Sequence, residues 1–266
     1  MSVEHPILAT TARPPDRTVV TGPEQSDVYD VWEPGADRAD RPERGLTIAL
    51  VHGGFWRVEY DRSHLAPLAS ALADDGYHVA NLEYPRIGMP HGGFPGTLTG
   101  VGDQVAALAD DGRLPQQVLA VGHSAGGHLA LWLASQPLRP EGSRPDNLAG
   151  VVSLAPAADL AEVDRLFLSK NAARALLGSA PDEDPDAWAT ADPARHTIQV
   201  PTVVVSASED DLVPGSVTAA YRDTRRPEED VTFTEINGGH YDLIDPSHEA
   251  YLTLLAHLEQ LVLDLR

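Results

Sequence analysis

The stretch 118–128, VLAVGHSAGGH, brings together the residue types that acyl-transfer chemistry needs. An apolar run passes through Gly122-His123-Ser124-Ala125-Gly126 into a second apolar run with helical spacing, which reads as strand, tight turn, helix. A serine on so sharp a bend is forced into a strained backbone conformation, and side chains two residues to either side would collide. Glycines at 122 and 126 meet that demand. The bend lifts the Ser124 hydroxyl above the sheet edge, and the following helix aims its positive N-terminal end at it. The plainer reading of the same residues is a packing turn with a capping serine.

A serine hydroxyl is a weak nucleophile until a base takes its proton and a third group orients that base. In the chain order serine, acid, histidine, the base belongs on a loop after a late strand. Among eleven histidines, His240 stands there, behind the strand 231–236 and a Gly-Gly pair. His52 precedes another Gly-Gly pair and reads as a loop-shaping residue. His123 and His128 flank Ser124, and the others lack a strand-end context. The acid should follow the preceding strand, 201–206, where Glu209, Asp210 and Asp211 are adjacent. Asp210 is the first choice and Asp211 the alternative. Its task is to hold the imidazole tautomer and stabilise the imidazolium. After the apolar run 46–51 comes His52-Gly53-Gly54-Phe55, whose glycines let backbone N–H groups turn toward a developing oxyanion. Gly54, Phe55 and Ala125 are therefore the candidate oxyanion hole. Trp56 and His123 are candidates for a substrate pocket, with Trp56 and Phe55 equally suited to the core.

These loops need a sheet to carry them. The continuous apolar run 46–51 is of the kind buried on both faces of a parallel sheet, further strands read at 77–82, 118–121, 148–154 and 201–206, and helical spacing at 64–75, 98–110, 215–225 and 247–265 alternates with them. Residues 27–32 alternate as an edge-type antiparallel strand would. Residues 1–18, proline-bearing and aperiodic, read as a loose N-terminal arm, and 19–266 as a single domain. Stretches 34–44 and 136–147 read as loops. The segment 157–197 breaks the alternation with short helical pieces and is too long for a simple connection, so a lid-like helical insertion over the site is expected. The expected class is α/β, a mostly parallel central sheet with helices on both faces.

Composition narrows the field. A formal charge of −21 argues against nucleic acid or an anionic membrane as partner. With no cysteine there is no thiolate nucleophile, disulfide or Cys-bound zinc. No HExxH, P-loop or dinucleotide fingerprint occurs, and neither a metal nor a cofactor is expected. The N-terminal residues lack a basic stretch followed by an apolar one, and no run approaches the roughly eighteen apolar residues of a membrane span. A cytoplasmic protein acting on a small molecule is the expectation; oligomeric state is not legible.

From about residue 27 onward the chain resembles the α/β-hydrolase superfamily. Within it, His52-Gly53-Gly54-Phe55-Trp56 resembles the HGGxW signature of kynurenine formamidases (arylformamidases) and related esterases. The elbow 122–127 and Gly239-His240-Tyr241-Asp242 are similar to the same branch, and Asp210 before Val213-Pro214 resembles its acid. The resemblance implies a cofactor-free serine hydrolase that cleaves a small ester or amide through Ser124, His240 and Asp210, of carboxylesterase or aryl formamidase type. The alternatives are a non-hydrolytic lyase or cyclase on the same scaffold, a peptidase-like hydrolase, and a binding protein without catalysis.

Overall fold

Alternate residues of the run TIALV go to opposite sides of one sheet: Ile48 and Leu50 join one apolar core, Ala49 and Val51 the other. A strand that is buried on both faces has no polar side to offer, which is why this run carries no alternation in sequence. The computed structural model describes residues 6–35, 44–136 and 144–265. In chain order the elements are β1 (Arg17–Val20), β2 (Val28–Trp32), β3 (Thr47–Val51), α1 (Ala66–Asp74), β4 (His78–Leu82), α2 (Gly96–Ala107), β5 (Val118–His123) and α3 (Ala125–Ser135). They continue as β6 (Leu148–Leu154), α4 (Leu160–Arg165), α5 (Ala172–Leu177), α6 (Pro185–Ala191), β7 (Thr202–Ala207), α7 (Gly215–Asp223), β8 (Val231–Ile236) and α8 (Ala250–Asp264).

The eight strands form one sheet in the order β1-β2-β4-β3-β5-β6-β7-β8. β1 and β2 pair antiparallel, β2 pairs antiparallel with β4, and every pair from β4 to β8 is parallel. Residues of α1 and α8 pack into one core, and residues of α2, α3 and α7 into the other. This is the α/β architecture anticipated. Parallel strands deliver their carboxyl ends, and the loops that follow them, to one edge of the sheet.

Some boundaries differ from expectation. Residues 27–32 do form an antiparallel strand, β2, but not at the edge, because β1 lies outside it. β1 is only four residues long with alternating exposure, too short for periodicity to register. The segment expected as a loose arm carries a 3-10 turn at Pro6–Ala9 with Ile7 buried, and the Arg13 carbonyl accepts from the Trp32 indole at 2.9 Å. The expected loops at 34–44 and 136–147 lie largely outside the described residues. Within 157–197 the structure has α4, α5, α6 and a 3-10 turn at Pro193–Arg195. Their apolar residues Leu160, Val163, Ala172, Leu176 and Trp188 are part of the α3-side core. Among the described residues no helix is long and apolar enough to cross a membrane.

Backbone packs closely where β5 turns into α3. A Cβ at Gly126 would lie 2.0 Å from the Val51 carbonyl oxygen, and one at Gly122 2.2 Å from the Gly126 oxygen. Gly126→Ala is expected to lower the unfolding free energy by about 2 kcal/mol or more, because only backbone stands in the way. Gly215→Ala, where nothing lies within 4 Å of the added carbon, should stay within about 0.5 kcal/mol of the parent. Urea titrations of the two variants check this; equal stabilities would contradict the packing.

Candidate active site

Ser124 occupies the turn between β5 and α3 at φ 58°, ψ −117°. Its N–H donates to Leu154 O at 2.8 Å, and its carbonyl accepts from His128 N at 3.0 Å and Ala157 N at 3.3 Å. These bonds hold the residue in a conformation that side-chain-bearing residues rarely adopt. Ala125, the first residue of α3, has no intrahelical acceptor for its N–H.

The loop after β7 presents Asp210, buried to 9% exposure. Its Oδ1 accepts from the N–H groups of Leu212 at 2.9 Å and Val213 at 2.8 Å, and its Oδ2 accepts from His240 Nδ1 at 2.7 Å. Of the adjacent acids it is Asp210 that meets the histidine; Asp211 is exposed and borders the cavity. The loop after β8 turns through Gly238 at φ 135°, where no side chain sits comfortably, and Gly239 N donates to Asp242 Oδ2 at 2.7 Å. Because Nδ1 is engaged by Asp210, the nitrogen left for proton transfer is Nε2. His123 donates from Nε2 to the His240 carbonyl at 3.0 Å, and the two rings lie 4.6 Å apart.

The loop after β3 bends through Gly54, Phe55 and Trp56, at φ 105°, 49° and 59°. The N–H groups of Gly54 and Phe55 find no acceptor among the described residues. Gly53 packs against the elbow, where a Cβ would lie 3.0 Å from Ser124 Cβ. The two aromatic neighbours part company. Phe55 lines the cavity, but Trp56 does not: fully buried, it meets His128 edge-on at 5.1 Å in the α3-side core. Trp56 is thus core, not a substrate wall, because a fully buried ring has no face left for a ligand.

A cavity of ≈ 540 Å³ opens over these groups, bordered by Ser124, His240, His123, Gly54 and Phe55. Tyr60, His64, Tyr241, Leu8 of the N-terminal segment and residues 167–170 from between α4 and α5 also line it. The inserted helices are also tied to the body beneath. His128 donates to Ala191 O at 3.0 Å, Trp132 to Thr190 O at 2.9 Å, and Arg225 to Pro193 O at 3.3 Å. Among the described residues no group of three or more His, Asp or Glu side chains could hold a metal.

One cluster under the site carried no sequence signal that assigned it a role. Glu83, at the end of β4, is buried and meets His52 Nε2 at 2.8 Å, Arg86 at 3.2 Å and Arg62 at 3.5 Å. Burial pushes its carboxyl up, yet the His52 hydrogen bond, the charges of His52 and Arg86 and the Tyr84 N–H together hold it below its ordinary value. Tyr84 stacks on His52 at 4.3 Å and donates to its carbonyl at 2.9 Å, while Arg86 donates to Val58 O and Tyr60 O. The cluster fixes both ends of the Gly-Gly loop. The available signal was a charged Glu-Tyr-Pro-Arg directly after a buried strand.

Residues 30–223 match the BD-FAE family model. A 115-residue stretch is 32% identical to LipR of Mycobacterium tuberculosis, a protein named as an acetyl-hydrolase; the match covers 43% of this chain and 36% of that protein, about a third of its length. Among solved structures, a truncated carbohydrate esterase from gut microbiota superposes with a TM-score of 0.73 at 14% identity, over 94% of this chain and 99% of that one. Esterase B from Lactobacillus rhamnosis gives 0.71 at 20% identity, over 94% and 87%. At such identities the likeness is one of fold, and the fold is the α/β-hydrolase fold.

Three imidazoles around the elbow stay neutral. Burial lowers His64 to about 3, reinforced by the charge of His52; it lowers His123 well below 6.5, with His240 adding to the effect, and His128 to about 4. Each nevertheless donates one N–H to a carbonyl, of Asp61, His240 and Ala191 respectively. The unfolded chain protonates these rings below pH 6.5 and the folded chain does not, so the stability they confer is present above 6.5 and drains as pH falls. Asp192 works against this, since burial and the nearby Asp159 raise it to about 7 and the folded chain keeps that proton longer. Burial lowers His257 as well, so the imidazole gains outnumber the one loss and unfolding takes up protons as pH falls below 6.5. Urea midpoints at pH 6.5, 6.0 and 5.5 should therefore fall in that order, and a flat profile would contradict the buried neutral rings.

Proposed function

The chain belongs to the BD-FAE family, and we propose that it is an ester-cleaving serine hydrolase with Ser124 as nucleophile, His240 as base and Asp210 as its orienting acid. The observation that carries this reading is the 2.7 Å Asp210–His240 contact opening on the same cavity as a serine held at φ 58°. Ser124 Oγ attacks the acyl carbon as His240 Nε2 takes its proton, and the carbonyl π pair moves onto oxygen. The N–H groups of Gly54, Phe55 and Ala125 receive that charge, a donor of this kind being worth roughly 3 kcal/mol in the transition state. His240 then returns the proton to the departing alkoxide or amine, leaving an acyl-Ser124. Water, deprotonated by the same imidazole, releases the acid and restores Ser124. Asp210 keeps Nδ1 protonated throughout, so Nε2 is always the nitrogen that exchanges.

Two narrower readings share this chemistry. The curated relative and the structural neighbours favour short-chain carboxylic esters, while the His52–Trp56 resemblance favours N-formyl aryl amides. A panel of 4-nitrophenyl acetate, 4-nitrophenyl butyrate and N-formylkynurenine separates them on wild type. Ser124→Ala should abolish turnover and labelling by a fluorophosphonate, and Asp210→Asn should cut kcat by about 10³ to 10⁴ through the wrong tautomer. Turnover that persists in Ser124→Ala would overturn the serine mechanism and point to lyase or cyclase chemistry.

A further inference from the structure

Several arginines are neutralised by carboxylates, Arg17 by Asp111, Arg62 by Asp30 and Arg225 by Glu229. Arg57, like Arg144, is not among them. Arg57 follows the oxyanion loop, is half-buried and borders the Ser124 cavity. Among the described residues it forms no ion pair, and its Nε is buried without an acceptor. Its one side-chain bond runs from Nη2 to the Ser169 carbonyl at 2.9 Å. A half-enclosed guanidinium with no counter-charge calls for an anion from elsewhere.

The bond to Ser169 holds the backbone next to a second cation, Lys170, which borders the same cavity. Phe167, Ser169, Lys170 and Asn171 all take positive φ, between 44° and 61°. The segment 167–170 is thereby held along the cavity wall. Lys170 is the only lysine among 266 residues, and among the described residues it has no ion-pair partner. Acidic side chains border the cavity too, Glu59 and Asp211, and like Lys170 both are exposed. With forty acids in the chain a carboxylate at a rim is the background, and exposed charges are strongly screened at physiological salt. The half-buried charge of the four is the cation Arg57.

We infer that the ester this site accepts carries a carboxylate on its acyl or leaving group, received by Arg57 and Lys170 while Ser124 attacks the ester carbon. This rests on the serine-esterase reading and adds the substrate's charge to it. Long-range repulsion from a chain of net charge −21 is cut off within about 8 Å at physiological salt, so the local cations decide selection.

The test compares matched pairs: 3-acetoxybenzoate with 3-acetoxybenzamide, and monoethyl adipate with ethyl hexanoate. In wild type the kcat/KM ratio of anionic to neutral ester should be about tenfold in at least one pair, expressed mainly in KM. The ratio should fall in Lys170→Met, fall further in Lys170→Glu and return in Lys170→Arg. A readout independent of turnover uses the single lysine: acetic anhydride should acetylate Lys170 within the tryptic peptide 166–174, and adipate should slow that labelling. Neutral esters hydrolysed as fast as anionic ones, with a ratio insensitive to residue 170, would overturn the inference and leave the esterase reading standing. Absence of turnover for all four esters together with no fluorophosphonate labelling of Ser124 would instead overturn the esterase reading, and this inference with it.

Discussion

Everything at the carboxyl edge depends on how closely three pieces of backbone approach at Gly126. The end of β3, the end of β5 and the start of α3 meet where a single added carbon would lie 2.0 Å from one carbonyl and 2.5 Å from the next. So close an approach leaves the chain between β5 and α3 no room for an ordinary turn, and Ser124 takes φ 58°. Such a conformation costs about 1–3 kcal/mol on a residue with a side chain, and it persists only because the surroundings over-determine it. Here the bonds from Ser124 N to Leu154 O and from Ala157 N to Ser124 O do so, tying the elbow to β6 and the chain beyond it. The same contact sets the loop after β3 against the elbow. The proposed oxyanion site, split between that loop and the first N–H of α3, is thus a consequence of packing.

The second constraint lies beneath that loop. Gly54, Phe55 and Trp56 all sit at positive φ, a run that would relax if its ends were free. Glu83 prevents this by gathering His52, Arg62 and Arg86, while Arg86 reaches the carbonyls of Val58 and Tyr60 beyond the turn. A buried carboxylate among three cationic or proton-bearing partners is a weak source of net stability. Removing it, however, would strand the partners without a counter-charge. Its contribution is therefore to geometry: it holds both ends of the Gly54-Phe55 turn.

Much of this was legible in the sequence because steric demands at the elbow leave few residue choices. Gly-x-Ser-x-Gly between two apolar runs, a Gly-Gly pair after a buried strand and Gly-Gly-His after a late one each encode a local backbone requirement. Parallel topology then brings them to one edge. What could not be read was anything decided by direction in space. Asp210 and Asp211 are chemically identical, and only the loop's curvature, with Oδ1 of Asp210 taking the N–H groups of Leu212 and Val213, leaves its other oxygen for His240. Phe55 and Trp56 look alike as candidate walls until their shared turn sends one ring to the cavity and the other to the core. β1 escaped notice because four residues are too few to show a period.

The elements that support the proposed reaction and those that shape the cavity come from different parts of the chain. Nucleophile, base, acid and oxyanion donors ride on β3, β5, β7 and β8, strands locked by the sheet. The far wall comes from the segment between α4 and α5, whose backbone bonds are mostly to its own helices. The side-chain bond from Arg57 to Ser169 joins the two, so the residue that leaves the oxyanion loop also holds the wall facing it. Any shift of that wall large enough to admit a bulkier substrate must lengthen this bond and pull on the loop carrying Gly54 and Phe55. Cavity size and the position of the Gly54-Phe55 loop are therefore coupled through one guanidinium, and altering the first without disturbing the second requires changes at 167–170 that keep the Ser169 carbonyl in place.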